Sequence, residues 1–180
     1  TGYVIKKFIN PTDAWAGTNA KRLTKAYPMI RYADILLMYA EALNHLTTTH
    51  TVQLDGETFT LSRNVNEMRM AFNQVRHRAG LPGMSVAEAA DADKVQKLIE
   101  QELMVELLFE NERYYDVRRW GQYEASESVT MTGMNMDGTK ASFYQRTVPN
   151  SNRVGSRVVN RKMMFMPIPN SEIRKIPAMS

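Results

Sequence analysis

The sequence predicts a mainly α-helical fold, with helical pairs of the tetratricopeptide kind, a small β-hairpin and a loop-rich portion. Three observations predict it. Apolar residues recur at intervals of three and four in three separate stretches, which is the period of an amphipathic helix. An Asp-Gly pair lies between two short alternating segments, as in a tight hairpin turn. No period holds over residues 122–160, and irregular segments of that length are usually functional loops or poorly ordered.

The first helix is expected to begin at Pro28 and to end near Leu46. Proline suits a first helical position because its missing N–H would have no intrahelical partner there. Two apolar stripes follow along the helix, formed by Tyr32, Leu36, Tyr39 and Leu43 and by Ala33, Leu37 and Ala40. Because only a narrow strip of this helix is polar, neighbouring elements should surround it. It is too short and too charged to span a membrane.

The hairpin is expected at residues 52–61. Asp55 and Gly56 favour a two-residue type I′ turn between its strands. Residues 1–8 alternate weakly and predict a further short strand.

The second and third helices are expected at residues 64–79 and 94–114. Asn64 is the predicted N-cap of the second helix, and Gly80 should end it. Asp93 is the predicted N-cap of the third helix. Two helical pairs in succession indicate a repeat unit in which each hairpin buries its face on the next.

The composition excludes several classes of function. The net charge is +4 with both signs mixed along the chain, whereas nucleic-acid binding would want a concentrated basic stripe. The chain contains no cysteine, so it has no disulfide, no thiolate metal site and no cysteine nucleophile. It starts at Thr1 without methionine, signal peptide or transmembrane run, and we expect it to be excised from a longer protein.

Glu102, Glu106 and Glu110 are spaced four apart, so a continuous helix would place them on one face. Such a row of carboxylates suits a divalent metal or acid–base chemistry. The favoured alternative is an ion-pair lattice with the arginines nearby in sequence, namely Arg113, Arg118 and Arg119. None of the three histidines lies at a metal-ligand or triad spacing. The sequence therefore predicts no catalytic constellation, no metal and no cofactor.

Aromatic residues in the irregular segments are the candidate ligand contacts. An exposed aromatic face can stack on the apolar face of a sugar ring while nearby polar side chains hold its hydroxyls. The predicted ligand-binding residues are Trp15, Tyr123 and Tyr144. The alternative for each is that the ring packs its loop onto a helix.

Four blocks of the sequence carry a family resemblance. They are IRYADILLMYAEALN at residues 30–44, AFNQVRHRAGLP at 71–82, VELLFE with RYYDVRRWG within 105–121, and FMPIPNSEI at 165–173. In this order they resemble the SusD/RagB family of cell-surface nutrient-binding lipoproteins of Bacteroidetes-type bacteria. Leu103 and Met104 stand where that family usually has two arginines, and its usual Asn-Pro and Gln-Asn-Pro-Gly-aromatic tail is missing.

The resemblance implies that residues 1–180 are the C-terminal portion of such a protein, without its N-terminal half and its lipidated cysteine. It implies a non-enzymatic protein on the outer surface of the outer membrane, held there by an N-terminal lipid anchor absent from this chain. Its partners would be a glycan or oligosaccharide, or another nutrient, and a SusC-like TonB-dependent transporter, with no nucleic acid. The matching blocks correspond to helix faces, caps and salt bridges, so the resemblance carries over no ligand contact.

Two rival functions stay open at this point. One is a helical-repeat scaffold that binds only protein, which saturable glycan binding would exclude. The other is a glycoside hydrolase that uses the glutamate row. Glutamates one helical turn apart are separated by about 6 Å, within the range for paired catalytic carboxylates. However, a packed helix face would leave no room for a sugar between them.

Overall fold

The computed structural model describes residues 2–14, 16–18, 20–21, 23–149 and 157–175. The chain forms two compact units, which we call the helical unit, Tyr27–Tyr115, and the loop-rich unit, Thr1–Ala26 with Asp116–Ser180. Across the described residues, seven α-helices and four short strands are present, which confirms the predicted mainly helical fold.

The helical unit is built around three packed helices. Its elements are α1 (Tyr32–His45), β1 (His50–Leu54), β2 (Glu57–Leu61), α2 (Val65–Arg78), α3 (Val86–Ala89) and α4 (Ala92–Glu106). Helix α1 packs against both α2 and α4. Their buried side chains form the core of this unit: Leu37, Ala40, Met68, Phe72, Val75, Val95 and Ile99. Leu37 and Ala40 of the second predicted stripe are fully buried, and Leu43 of the first stripe is buried as well.

Helix α1 begins at Tyr32, so the predicted start at Pro28 is wrong. Arg31 precedes the helix in an extended conformation, with φ −123° and ψ 150°. Its guanidinium forms ion pairs with Glu106, 2.7 Å away, and with Glu110, 2.8 Å away. These contacts fix the backbone of Arg31 outside the helix, which therefore starts one residue later.

The predicted hairpin is confirmed as the antiparallel pair β1–β2. Asp55 (φ 52°) and Gly56 (φ 82°) both have positive φ, as a type I′ turn requires. Every residue of both strands is exposed.

The N-cap of α2 is the predicted one, and that of α4 is not. The Asn64 side chain accepts hydrogen bonds from two backbone N–H groups of the first turn of α2, both at 3.1 Å. For α4 the same role belongs to Asp91, whose Oδ1 accepts two backbone N–H groups at 3.1 Å. Asp93 lies inside the first turn, where a carboxylate still complements the helix dipole.

The predicted continuous third helix is broken into α4 and α5 (Glu112–Arg119). Between them, Phe109 (φ 65°) and Asn111 (φ 69°) adopt the left-handed conformation, which cannot continue a right-handed helix. The Tyr27 hydroxyl donates a hydrogen bond of 3.2 Å to the Phe109 carbonyl. A contact from far away in sequence therefore holds the break.

The loop-rich unit contains more regular structure than the sequence predicted. Its elements after α5 are α6 (Tyr123–Glu127), β3 (Gly133–Met134), β4 (Arg146–Thr147), a 3₁₀ turn (Arg161–Met164) and α7 (Asn170–Ile173). Strands β3 and β4 pair antiparallel. Gly2 lies against β3 so closely that a Cβ there would be 2.1 Å from the Met134 carbonyl oxygen. The N-terminal segment thus passes beside this hairpin, without forming the expected strand among the described residues.

Candidate functional site

The loop that joins β3 to β4 carries one of the predicted ligand contacts, Tyr144. Hydrogen bonds tie the two ends of this loop together. The N–H of Asn135 donates to the carbonyl of Gln145 at 3.0 Å, and the N–H of Tyr144 donates to the carbonyl of Asn135 at 2.8 Å. The Asn135 side-chain amide also donates to the Ser142 hydroxyl at 2.9 Å. The loop base is therefore fixed, and Tyr144 is held in a defined place.

The tip of the same loop is organised by Asp137. Its Oδ1 accepts hydrogen bonds from the Thr139 backbone N–H at 3.1 Å and from the Thr139 hydroxyl at 2.6 Å. The Lys140 ammonium lies 3.5 Å from the other carboxylate oxygen. The Thr139 hydroxyl contributes most to lowering the pKa of Asp137 below its ordinary value. The Asp137 carboxylate is therefore charged at neutral pH, and it is engaged in hydrogen bonds with Thr139 and an ion pair with Lys140.

Phe143 and Tyr144 form an edge-to-face pair, which we call the aromatic corner. Their ring centroids are 4.4 Å apart and the planes are inclined by 73°. Tyr144 is 61% exposed. It has φ 59°, a left-handed conformation that is unusual for a bulky residue and that tends to persist at functional sites. The corner therefore presents a positioned aromatic ring to the solvent.

Tyr123 lies elsewhere in the loop-rich unit, and its predicted placement in a loop is wrong. It is the first residue of α6 and only 8% exposed. The Arg118 guanidinium lies over its ring, 4.4 Å from the centroid. Arg118 also donates to the carbonyls of Met164 at 3.0 Å and Met163 at 3.1 Å. Tyr123 thus helps to hold the 3₁₀ turn, and so little of its surface is exposed that the structure offers no support for a ligand contact.

Trp15, the remaining predicted contact, lies outside the described residues. Its neighbourhood is partly described. Ala14 and Lys21 exchange two backbone hydrogen bonds, of 2.9 and 3.1 Å. Asp13 forms an ion pair with Lys25, and this hydrogen bond lowers the pKa of Asp13. The ligand-binding role of Trp15 stays a prediction.

The glutamate row forms an ion-pair lattice, as predicted, and its partners include arginines distant in sequence. Its ion pairs include Glu102 with Arg76 (2.9 Å), Glu106 with Arg31 (2.7 Å) and Arg78 (2.6 Å), and Glu110 with Arg31 (2.8 Å). Glu110 lies beyond the end of α4. In the part of the chain that the structure describes, no group of three His, Asp or Glu side chains is arranged to hold a metal ion.

A surface groove runs between α1 and α2 of the helical unit. Its lining includes Tyr32, Leu36, Tyr39, Gln74 and Glu67. Tyr32, 70% exposed, and Tyr39, 46% exposed, show that the described residues cover one face of α1 only. Such an apolar groove suits another protein element, whereas the aromatic corner suits a flat polar ligand.

Comparison with known proteins gives a consistent result. The model of the SusD family matches residues 1–180. A SusD-like protein P2 from Formosa agariphila is 30% identical over 109 residues, which are 58% of this chain and 19% of that protein. The crystal structure of a SusD-like protein from Bacteroides fragilis matches with a TM-score of 0.58 and 26% identity, covering 83% of this chain and 24% of that one.

The matched regions therefore cover about a fifth to a quarter of the length of these relatives. Within the described residues, no helix has the length and apolar character needed to cross a membrane.

Proposed function

Because the chain belongs to the SusD family, we propose that it binds a glycan or another nutrient at the cell surface for delivery to a SusC-like, TonB-dependent outer-membrane transporter. Proteins of this family bind ligands and are not enzymes. The proposed place of action is the outer surface of the outer membrane, and the proposed means of attachment is an N-terminal lipid anchor on the longer protein.

The aromatic corner is the observation that carries the proposal of glycan binding. The exposed ring of Tyr144 is available to stack on the apolar face of a sugar. Phe143 supports the ring from one side, and the hydrogen-bonded loop holds both in place. A positioned ring loses little conformational entropy when a ligand binds, so more of the contact energy appears as affinity.

Affinity electrophoresis against a panel of neutral and acidic polysaccharides tests this proposal. We expect at least one polymer to retard the protein in a native gel. Tyr144→Ala should then weaken binding by about tenfold, equivalent to about 1.4 kcal/mol. The matched control is Tyr32→Ala, which removes a similarly exposed tyrosine from the helical unit.

Equal losses in the two variants would contradict a site at the aromatic corner. If no polysaccharide or other nutrient binds while the protein still captures a partner protein, the helical-repeat scaffold replaces this proposal.

A further inference from the structure

The two units carry opposite charge. The loop-rich unit contains 15 Lys and Arg residues against six Asp and Glu residues, a formal net charge of +9. The helical unit contains eight against 13, a net charge of −5. Along the sequence the two signs look mixed, because the loop-rich unit is assembled from both ends of the chain. The fold thus concentrates the positive charge in the unit that carries the aromatic corner.

More cations of the loop-rich unit than of the helical unit lack a side-chain partner within the described residues. Six are exposed and have no side-chain ion pair or hydrogen bond within the described residues: Lys6, Lys21, Arg146, Arg161, Lys162 and Arg174. Most cations of the helical unit form ion pairs or hydrogen bonds within that unit. Arg31, Arg76 and Arg78 hold glutamates, and Arg63 donates to the side chain of Asn44 and to the carbonyl of Ala89.

Arg146 stands at the aromatic corner itself. It is the first residue of β4, two residues after Tyr144, and it pairs with Met134 of β3. Gly2 lies against Met134, so Lys6, four residues further on, lies within roughly 14 Å of this hairpin. The exposed ring of Tyr144 is therefore accompanied by cations that form no ion pair within the described residues.

From this juxtaposition we propose that the ligand of the aromatic corner is an acidic polysaccharide, bearing carboxylate or sulfate groups. This inference rests on the proposed function and adds the chemical class of its ligand. Tyr144 stacks on a sugar ring, and Arg146 donates to the acidic group of that residue or of its neighbour. A guanidinium suits this role because its planar donors match a carboxylate or sulfate in pairs.

The test compares polymers that share a backbone and differ in charge. One pair is polygalacturonate and its fully methyl-esterified form, and a second is carrageenan and its desulfated product. Retention and isothermal titration at pH 7 are measured in 50 mM and 300 mM salt. We expect at least one acidic polymer to bind at least tenfold more tightly than its neutral counterpart, with weaker binding at the higher salt.

Two variants and a matched control locate the charge contact. Arg146→Ala should weaken binding to the acidic polymer by about tenfold, the effect of losing one charge-assisted hydrogen bond. Arg146→Lys should retain part of the affinity, because it keeps the charge and loses the paired geometry. Lys97→Ala removes an exposed cation from the helical unit and should change nothing. Circular dichroism confirms that each variant is folded.

Each other outcome overturns the inference in a recognisable way. Equal binding of a neutral polymer and its acidic form would agree with the proposed function and contradict the inference that the ligand is acidic. Acidic binding that is unaffected by Tyr144→Ala and Arg146→Ala is diffuse attraction to a basic unit. Binding to phosphatidylglycerol vesicles that depends on Arg146, without binding to any polysaccharide, would show that the cations contact an anionic membrane surface instead. If no polysaccharide or other nutrient binds, the proposed function fails together with the inference.

Discussion

The two units of this chain use arginine differently. In the helical unit, Arg31 and Arg76 hold glutamate side chains that are at most 11% exposed. In the loop-rich unit, Arg146 and Arg161 are exposed and form no ion pair within the described residues. A guanidinium that satisfies a nearly buried carboxylate is part of the fold, whereas one without a partner is available to an external anion. The loop-rich unit also contains structural arginines, such as Arg119 paired with Asp116. Among the described residues, however, only this unit leaves exposed arginines for the proposed recognition of an anion.

The largest expected effect tests whether the helical unit supplies the packed core. Phe72 is 2% exposed and lies at the contact of the helices. Phe72→Ala should lower the free energy of unfolding by about 3–5 kcal/mol, through lost burial and the cavity left behind. Urea denaturation measures it. The control is Phe143→Ala, which removes a half-exposed ring of the loop-rich unit and should cost about 1 kcal/mol. Similar losses of unfolding free energy in the two variants would contradict the view that the helical unit supplies the packed core.

A smaller effect is expected from the arginine that joins both ends of the α4–α5 break. Arg31→Met leaves Glu110, whose side chain is 7% exposed, without this partner. We expect a loss of about 2–4 kcal/mol, because the nearly buried carboxylates of Glu106 and Glu110 both lose a charged hydrogen-bond donor. The hydrogen bond from Arg31 to Glu110 raises the pKa of Arg31, so this arginine is charged at neutral pH.

Lys175→Met is the control for that loss, since Lys175 and Glu172 form an exposed pair in the loop-rich unit. It should cost less than about 1 kcal/mol. Thermal unfolding of both variants, at low and high salt, separates the nearly buried pair from the screened one. An Arg31→Met protein as stable as the parent would show that the lattice makes no net contribution.

The smallest expected effect concerns the loop beneath the aromatic corner. Asp137 has a lowered pKa in the folded protein, chiefly because the Thr139 hydroxyl donates to its carboxylate. The charged carboxylate therefore stabilises the loop fully above the ordinary pKa of an aspartate. This stabilisation is lost as the pH falls through the lowered pKa of Asp137. A carboxyl-carbon NMR titration should place the midpoint of Asp137 below the ordinary value of 3.8. In Thr139→Val the midpoint should return towards that value, and an unchanged midpoint would exclude the hydroxyl as the cause.

Local features of this chain could be predicted from the sequence. The Asn64 cap, the Asp55-Gly56 turn and the period of α2 each depend on residues a few positions apart, so they need no knowledge of the remaining fold. The ion-pair lattice was also predictable as a class, because a glutamate row needs cationic partners. Tyr144 was chosen as an aromatic residue in an irregular segment, and the structure places it in an exposed loop.

Only the tertiary structure decided which residues meet. Two partners of Glu106 are 75 and 28 residues away in sequence, and the break at Phe109 is held by a tyrosine 82 residues away. Tyr123 is buried because a neighbouring arginine covers it, which no period reveals. The charge separation arises because the first 26 residues join the last 65 in one unit. Local hydrogen bonds and apolar periods are encoded over one or two turns, whereas ion-pair choice and surface potential depend on chain topology.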